Sequence, residues 1–176
     1  EATLKRLTRL SERLLQLARA EGGRLRMDQS ADVRTITRVV VEDIARTTEN
    51  GRLTLNLPDT PVLSDIDPDA LGILCRNLVE NALRHGAQNA PVAVTLTSEG
   101  QLIVANEGPA VATETLERLT GRFERADAKT DGSGLGLAIV SAIAERIETS
   151  LLLQSPRPGE TSGFQASVRL PTDAPN

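Results

Sequence analysis

Two asparagines four residues apart, Asn77 and Asn81, and a glycine cluster about fifty residues later, Gly132-Ser133-Gly134-Leu135-Gly136, are the residues of this sequence best suited to chemistry. Around the asparagines, Leu71, Leu74, Cys75, Leu78, Val79 and Ala82 recur at three- and four-residue spacing, which predicts a helix with one apolar face. Asn77 and Asn81 then share another face. A carboxamide pair at that spacing can offer oxygens to a hard divalent cation such as magnesium, which takes oxygen ligands and keeps several waters. The glycine cluster reads as a turn entering an apolar helix. Glycines let backbone approach phosphate closely, and the free N–H groups at the start of the helix attract anions. Each motif alone has an ordinary reading, a solvated helix edge or a tight loop, and the cluster fits neither the Walker nor the dinucleotide pattern.

The elements that must position these residues can be read along the chain. Asp32 is placed to cap a helix with the stripe Val33, Ile36, Val40 and Ile44, ending near Asn50-Gly51. Leu53 to Leu57 and Val62 to Ile66 are short strand candidates, and Asp67-Pro68-Asp69 opens the asparagine helix with proline in its first turn. Pro91 to Thr97 and Leu102 to Ala105 read as a hairpin around Glu99-Gly100. A helix from about Leu135 to Glu148 leads to strands near Leu151 to Gln154 and Phe164 to Leu170. These strands are too short and too hairpin-like for a doubly wound sheet. The expectation is an α+β fold, a mixed sheet covered by helices on one face. Between Val111 and Asp131 apolar periodicity is lowest and charge highest, so that segment is expected to be a mobile, solvent-facing loop.

At the N-terminus, Leu7, Leu10, Leu14 and Leu17 follow 3-4-3 spacing with charges on the flanks. That seam suits packing against another helix, in a two-helix hairpin from each of two subunits, or folding back onto its own domain. Gly22-Gly23 stops the helix. The expected organisation is a helical segment 1–22, a main domain 27–171 and a disordered tail 172–176. The sequence begins without an initiator methionine, inside a helix, and is expected to be a piece of something longer.

Composition narrows the function classes. With 176 residues and 39% hydrophobic residues the chain can bury one substantial core. Twenty basic residues against 24 acidic ones leave a net charge of -4, which argues against nucleic acid as a partner. The two aromatics, Phe123 and Phe164, provide no stacking platform for single strands. No apolar run is long enough to span a bilayer, so no membrane contact by this segment is expected. The lone cysteine, Cys75, sits among Ile73, Leu74 and Leu78 and reads as a buried apolar residue.

Taken together and in order, Asn77 to Gly86, Asn106-Glu107-Gly108-Pro109, Arg122-Phe123-Glu124-Arg125 and Gly132 to Val140 resemble the N, first glycine, F and second glycine boxes of bacterial sensor histidine kinases. Leu14 to Glu21 is similar to the end of the second helix of their dimerisation hairpin. The resemblance implies a two-layer α/β sandwich that binds ATP and magnesium and transfers the γ-phosphoryl group to a histidine. It implies Asn81 as the magnesium ligand, with Asn77 orienting it or a bound water and as a possible second ligand. Arg84 would pair with phosphates where the family more often has lysine, and His85 would lie against the nucleoside. Glu80 is the acid placed to assist transfer. Asn106 and Gly108 would hold the adenine edge, and Gly132, Gly134, Leu135 and Gly136 the phosphates. Phe123 would latch a lid whose Arg125 reaches the terminal phosphate. The phosphoacceptor of this family lies on the first hairpin helix, upstream of Glu1, so His85 is not it. Implied partners are a second copy through the N-terminal helix and the receiver domain of a response regulator. The implied setting is the cytoplasmic side of a protein anchored in the bacterial inner membrane.

Three positions depart from the pattern or from its relatives. Asn106 stands where the family usually has aspartate, and Ala110 where a second glycine is typical. Asn77 stands where hydrolytic relatives, the gyrase and chaperone ATPases, place a glutamate that activates water, which implies slow hydrolysis. The alternatives left open are a regulatory module that binds nucleotide weakly and acts through dimer contacts, and a kinase acting on serine.

Overall fold

A computed structural model describes residues 2–48, 51–119 and 134–173. The first helix, α1 (Ala2–Gly22), stops at the double glycine. There Gly23 donates its N–H to the Arg19 carbonyl at 2.8 Å. A Cβ on Gly23 would lie 2.7 Å from that same oxygen, so only glycine fits this close approach. Next comes β1 (Arg26–Asp32), a strand that the sequence does not announce, because Arg-Met-Asp-Gln-Ser-Ala-Asp has no apolar alternation. It pairs antiparallel with β3 (Leu63–Ile66) through a bulged ladder. Arg26 also grips both Asp65 oxygens at 2.8 to 3.0 Å.

Asp32 ends β1 and caps α2 (Val33–Thr47), accepting the Arg34 N–H at 3.1 Å and the Val62 N–H at 3.2 Å. Val33, Val40, Val41 and Ile44 form its buried stripe. After β2 (Leu53–Asn56) and β3, Asp67 caps α3 (Pro68–His85) by accepting the Ala70 N–H at 3.0 Å, with Pro68 in the first turn. The remaining elements are β4 (Val92–Leu96), β5 (Gln101–Asn106), α4 (Thr113–Arg118), α5 (Gly136–Arg146), β6 (Leu151–Gln154) and β7 (Phe164–Arg169). The short helix α4 lies in the segment read as loop.

Five strands form one mixed sheet in the order β2-β4-β5-β7-β6, with β2 and β4 parallel and the other neighbours antiparallel. Helices α2, α3 and α5 cover one face, the two-layer α+β arrangement expected. Leu71, Leu74, Leu78, Ile139 and Ile143 pack in one core with Val92, Val94, Leu96, Leu102, Val104 and Val168. Side chains alternate faces along a strand, so Asn106 shares the face of Leu102 and Val104 and points under the helices.

The N-terminal helix joins this core. Leu17 and Ala20 of α1, followed by Leu25, are buried in it, while Leu7 and Leu14 of the leucine seam stay 56% and 44% exposed. Thr172 and Asp173, placed in a disordered tail by the sequence, are held. The Asp173 N–H donates to the Leu63 carbonyl at 3.2 Å, its carboxylate accepts from Ser30 at 3.1 Å, and the Thr172 methyl packs on Gly100. Residues 174–176 of that tail lie outside the described residues.

Candidate functional site

The α3 helix is anchored by its apolar face and presents Asn77, Glu80 and Asn81 along its other side. Asn77 is only 1% exposed and fully engaged. Its NH₂ donates to the Ile73 carbonyl at 2.7 Å and to Gln16 at 3.3 Å, and its oxygen accepts from the Arg13 guanidinium of α1. Arg13 also pairs with the Glu80 carboxylate, which Arg76 approaches at 3.7 Å. Asn81, one turn further on, is half-buried, and its side chain makes no hydrogen bond among the described residues. The two asparagines thus differ: one is spoken for and one is free.

Across from Asn77 lies the start of α5. Gly134 has φ +71, a left-handed conformation that leads the chain into the helix at low cost. Leu135 is fully buried, and a Cβ on Gly136 would sit 3.6 Å from the Asn77 oxygen. Among the described residues no side chain caps α5. Its first turn therefore offers backbone N–H groups and the positive end of the helix dipole beside the asparagine face. Gly132, Arg122, Phe123 and Arg125 lie outside the described residues.

At the end of β5, Asn106 is 4% exposed. Its NH₂ donates to the Glu107 carbonyl at 3.2 Å, but its buried Oδ1 has no hydrogen-bond partner among the described residues. A buried carbonyl oxygen left unpaired costs free energy, so such an atom marks a place where a donor is expected. Gly86, which ends α3, packs against this residue. The Ala87 N–H donates to the Glu107 carbonyl at 2.7 Å, tying the end of α3 to the end of β5. Gly108, with φ +146, then turns the chain, and its carbonyl accepts the Gly163 N–H at 2.7 Å. Ala110 has no positive φ, so alanine there carries no backbone strain.

Arg84 and His85 stand exposed on the last turn of α3. Although solvent reaches its ring, desolvation by the surrounding protein pushes the His85 imidazole below its ordinary 6.5, and the Arg84 charge pushes the same way. Cys75 is fully buried and its thiol is pushed up to about 12 by desolvation, which makes it inert.

Three residues of this region escaped the sequence reading as contributors. Arg13 and Gln16 reach Asn77 from more than sixty positions away. With Leu17 and Ala20 they form an i, i+3, i+4, i+7 stripe, the one signal that could have found them. Arg52 donates to the Ala90, Leu83 and Ala87 carbonyls at 3.0, 3.4 and 3.1 Å and so holds the loop after α3. Nothing in the local sequence signals that role. A cavity of about 270 Å³ lined by Arg19, Leu25, Asp67, Ile73 and Ile143 lies at the opposite end of α3, away from Asn81. Among the described residues no three His, Cys, Asp or Glu side chains cluster as metal ligands. A cation here would take one carboxamide oxygen and fill its shell with waters and ligand oxygens, the habit of magnesium, and the free Asn81 side chain fits that demand.

Residues 66–174 match the family described as histidine kinase-, DNA gyrase B-, and HSP90-like ATPase. Over 179 positions the chain is 32% identical to the sensor protein BasS of Escherichia coli K12, covering 98% of this chain and 48% of BasS. It is 35% identical to the sensor protein QseC of Escherichia coli O157:H7, covering 94% of this chain and 37% of QseC. The chain therefore spans half or less of these relatives. The solved cytoplasmic segment of histidine kinase QseC superposes with a TM-score of 0.61 at 26% identity, covering 94% of this chain and 87% of that one. Motif order, fold and similarity converge: the chain belongs to the histidine kinase-, DNA gyrase B- and HSP90-like ATPase family, among the ATP-binding domains of bacterial sensor histidine kinases.

Proposed function

We propose that this chain binds ATP and magnesium and passes the γ-phosphoryl group to a histidine on a dimerisation helix, from which a response-regulator aspartate receives it. The observation that carries the reading is the unpaired Oδ1 of Asn106, a buried acceptor held against Gly86. The exocyclic amine of adenine is a donor of the right kind for it. From there the triphosphate would run toward the first turn of α5, whose N–H groups suit phosphate oxygens. Arg84 would pair with phosphates as a planar cation. Asn81 would hold magnesium, which neutralises phosphate charge when bound, with Asn77 setting its neighbour's orientation. His85, kept neutral, would lie against the nucleoside, while Phe123 and Arg125 would close the site.

Phosphoryl transfer depends mainly on positioning and charge neutralisation, so an imidazole presented by another helix needs little help as nucleophile. Glu80 is the acid placed to assist. With Asn77 where hydrolytic relatives carry a base, water is a poor competitor. The exposed Leu7 and Leu14 support pairing with a second copy through α1. No helix among the described residues is long and apolar enough to cross a membrane. In this reading the chain works on the cytoplasmic side of a protein anchored in the inner membrane.

Incubation with magnesium and ATP tests the proposal. The chain alone should bind ATP but acquire no phosphohistidine, and adding a chain that carries the hairpin's first helix should place label on that helix. Label on His85, or no ATP binding at all, overturns the reading. The second outcome would favour a regulatory module acting through dimer contacts.

A further inference from the structure

An asparagine that reads a purine edge carries an ambiguity that an aspartate does not, because its carboxamide has an accepting end and a donating end. With the oxygen toward the base it takes the amine of adenine. Turned over, it would take the carbonyl that guanine carries at the same position. The far end of the side chain decides between the two. The Asn106 NH₂ donates to the Glu107 carbonyl at 3.2 Å, and a carbonyl can only accept. The turned-over form would therefore set two oxygens against each other at a residue that is 4% exposed.

The Glu107 carbonyl is itself held. It also accepts the Ala87 N–H at 2.7 Å, and Ala87 is gripped in turn by Arg52, the residue just before β2. The Arg52 guanidinium lies across the C-terminal end of α3 and donates to the carbonyls of Leu83 at 3.4 Å, Ala87 at 3.1 Å and Ala90 at 3.0 Å. A planar fork of donors suits three carbonyls in a fixed arrangement, and a positive charge suits the last carbonyls of a helix. Its own carbonyl accepts the Val92 N–H at 2.8 Å, which ties it to the start of β4. Bonds thus run from Arg52 to Ala87, from Ala87 to Glu107, and to Glu107 from Asn106.

We propose that Arg52 is a positioning residue for base selection: by fixing Ala87 it holds the Glu107 carbonyl, which keeps the Asn106 oxygen turned toward the nucleotide and so selects adenine over guanine. The inference rests on the reading of Asn106 as the adenine acceptor. Without Arg52 the loop after α3 loses three bonds, the Ala87 N–H leaves the Glu107 carbonyl, and that carbonyl turns to water. The carboxamide is then free to present either end.

Calorimetric titration of the full chain with magnesium-ATP and magnesium-GTP tests this. Arg52→Met should lower the preference for ATP over GTP by about tenfold, the scale of one hydrogen bond made or missed at the base. Arg52→Lys, whose single ammonium cannot span three carbonyls, should lower it in the same direction, and it replaces Arg52→Met if that variant does not fold. The decisive comparison uses Asn106→Asp, whose carboxylate presents an oxygen whichever way it turns. Beside it the same Arg52 substitution should leave the preference within about twofold, as for two changes that no longer interact. A general loosening of the loop would weaken both nucleotides together. A preference that the folded Arg52 variants leave unchanged therefore overturns the proposal while the nucleotide reading stands. So does a preference reduced as much beside Asn106→Asp as in the parent, or a parent that binds both nucleotides alike. A parent that binds neither nucleotide overturns the nucleotide reading as well.

Discussion

Gly86, the residue that ends α3, packs directly against Asn106 at the end of β5: a Cβ on Gly86 would lie 3.0 Å from the Asn106 Cβ and 2.7 Å from the Ala82 carbonyl oxygen. With φ -68 its backbone suits any residue, so what it lacks is room. Gly86→Ala should cost about 1 to 3 kcal/mol, the range for forcing an extra carbon into a packed site. It should also weaken ATP binding by displacing Asn106. Thermal melts and nucleotide titration check both effects, and a neutral substitution would mean the two elements slide apart freely.

Asn106 itself should show a trade between stability and function. Asn106→Leu removes the orphaned oxygen, and the Glu107 carbonyl that loses the Asn106 donor keeps the Ala87 N–H. The variant should melt higher than the parent, by up to about 1 to 3 kcal/mol of relieved desolvation, and should not bind ATP. Asn106→Asp should act the other way. Its carboxylate would face the Glu107 carbonyl in a dry pocket and lower the melting point of the free protein. With ATP bound, it should gain about 1 to 2 kcal/mol from an ionised acceptor and discriminate against GTP, whose carbonyl it repels. An Asn106→Leu protein that binds ATP as the parent does would remove Asn106 from the base site.

The two asparagines of α3 should separate by experiment as they do by geometry. Asn81 has no hydrogen-bond partner among the described residues, so Asn81→Ala should change stability by no more than about 0.5 kcal/mol while abolishing magnesium-dependent ATP binding. Asn77 is buried and bonded to Arg13, Gln16 and the Ile73 carbonyl. Asn77→Ala should therefore cost about 1 to 3 kcal/mol before any nucleotide is added. Identical melting shifts for the two variants would contradict this division of labour.

What could be read from the sequence and what could not follows one physical line. The α3 helix was legible because Asp67 and Pro68 mark its start and Leu71, Leu74 and Leu78 need burial at helical spacing. The β4–β5 hairpin was legible because Val92, Val94 and Leu96 alternate and Gly100, at φ +83, takes a turn conformation. Strand β1 was not, since its residues are largely exposed and its order comes from the backbone ladder and the Arg26–Asp65 pair. For α1 the periodicity showed a leucine seam, but the docked face is the stripe of Arg13, Gln16, Leu17 and Ala20. Of the seam only Leu10 and Leu17 pack on the core, and the polar members of the docked face, Arg13 and Gln16, find partners more than sixty positions away that no local apolar count reveals. The unpaired oxygen of Asn106 was equally invisible, since whether a carboxamide finds a partner depends on neighbours from β5, α3 and the loop before β7.

His85 provides a pH test with a definite sign. Its imidazole is pushed below 6.5 in the folded protein, first by desolvation and then by Arg84. As pH falls through 6.5 the unfolded chain takes up the proton before the folded one does, so stability is lost on acidification until the folded group also protonates. That loss is absent above the unfolded pKa. Carboxylates titrate at lower pH and act on parent and variant alike. His85→Gln should therefore remove part of the loss, and the melting curves of the two proteins should diverge as pH drops from about 7.5 to about 5.5, the parent falling further. Curves that stay parallel over this range would show that His85 titrates in the folded protein as it does in the open chain. Its neutrality near pH 7 would then need no help from the site, and the argument for it as a nucleoside-facing ring would lose its electrostatic support.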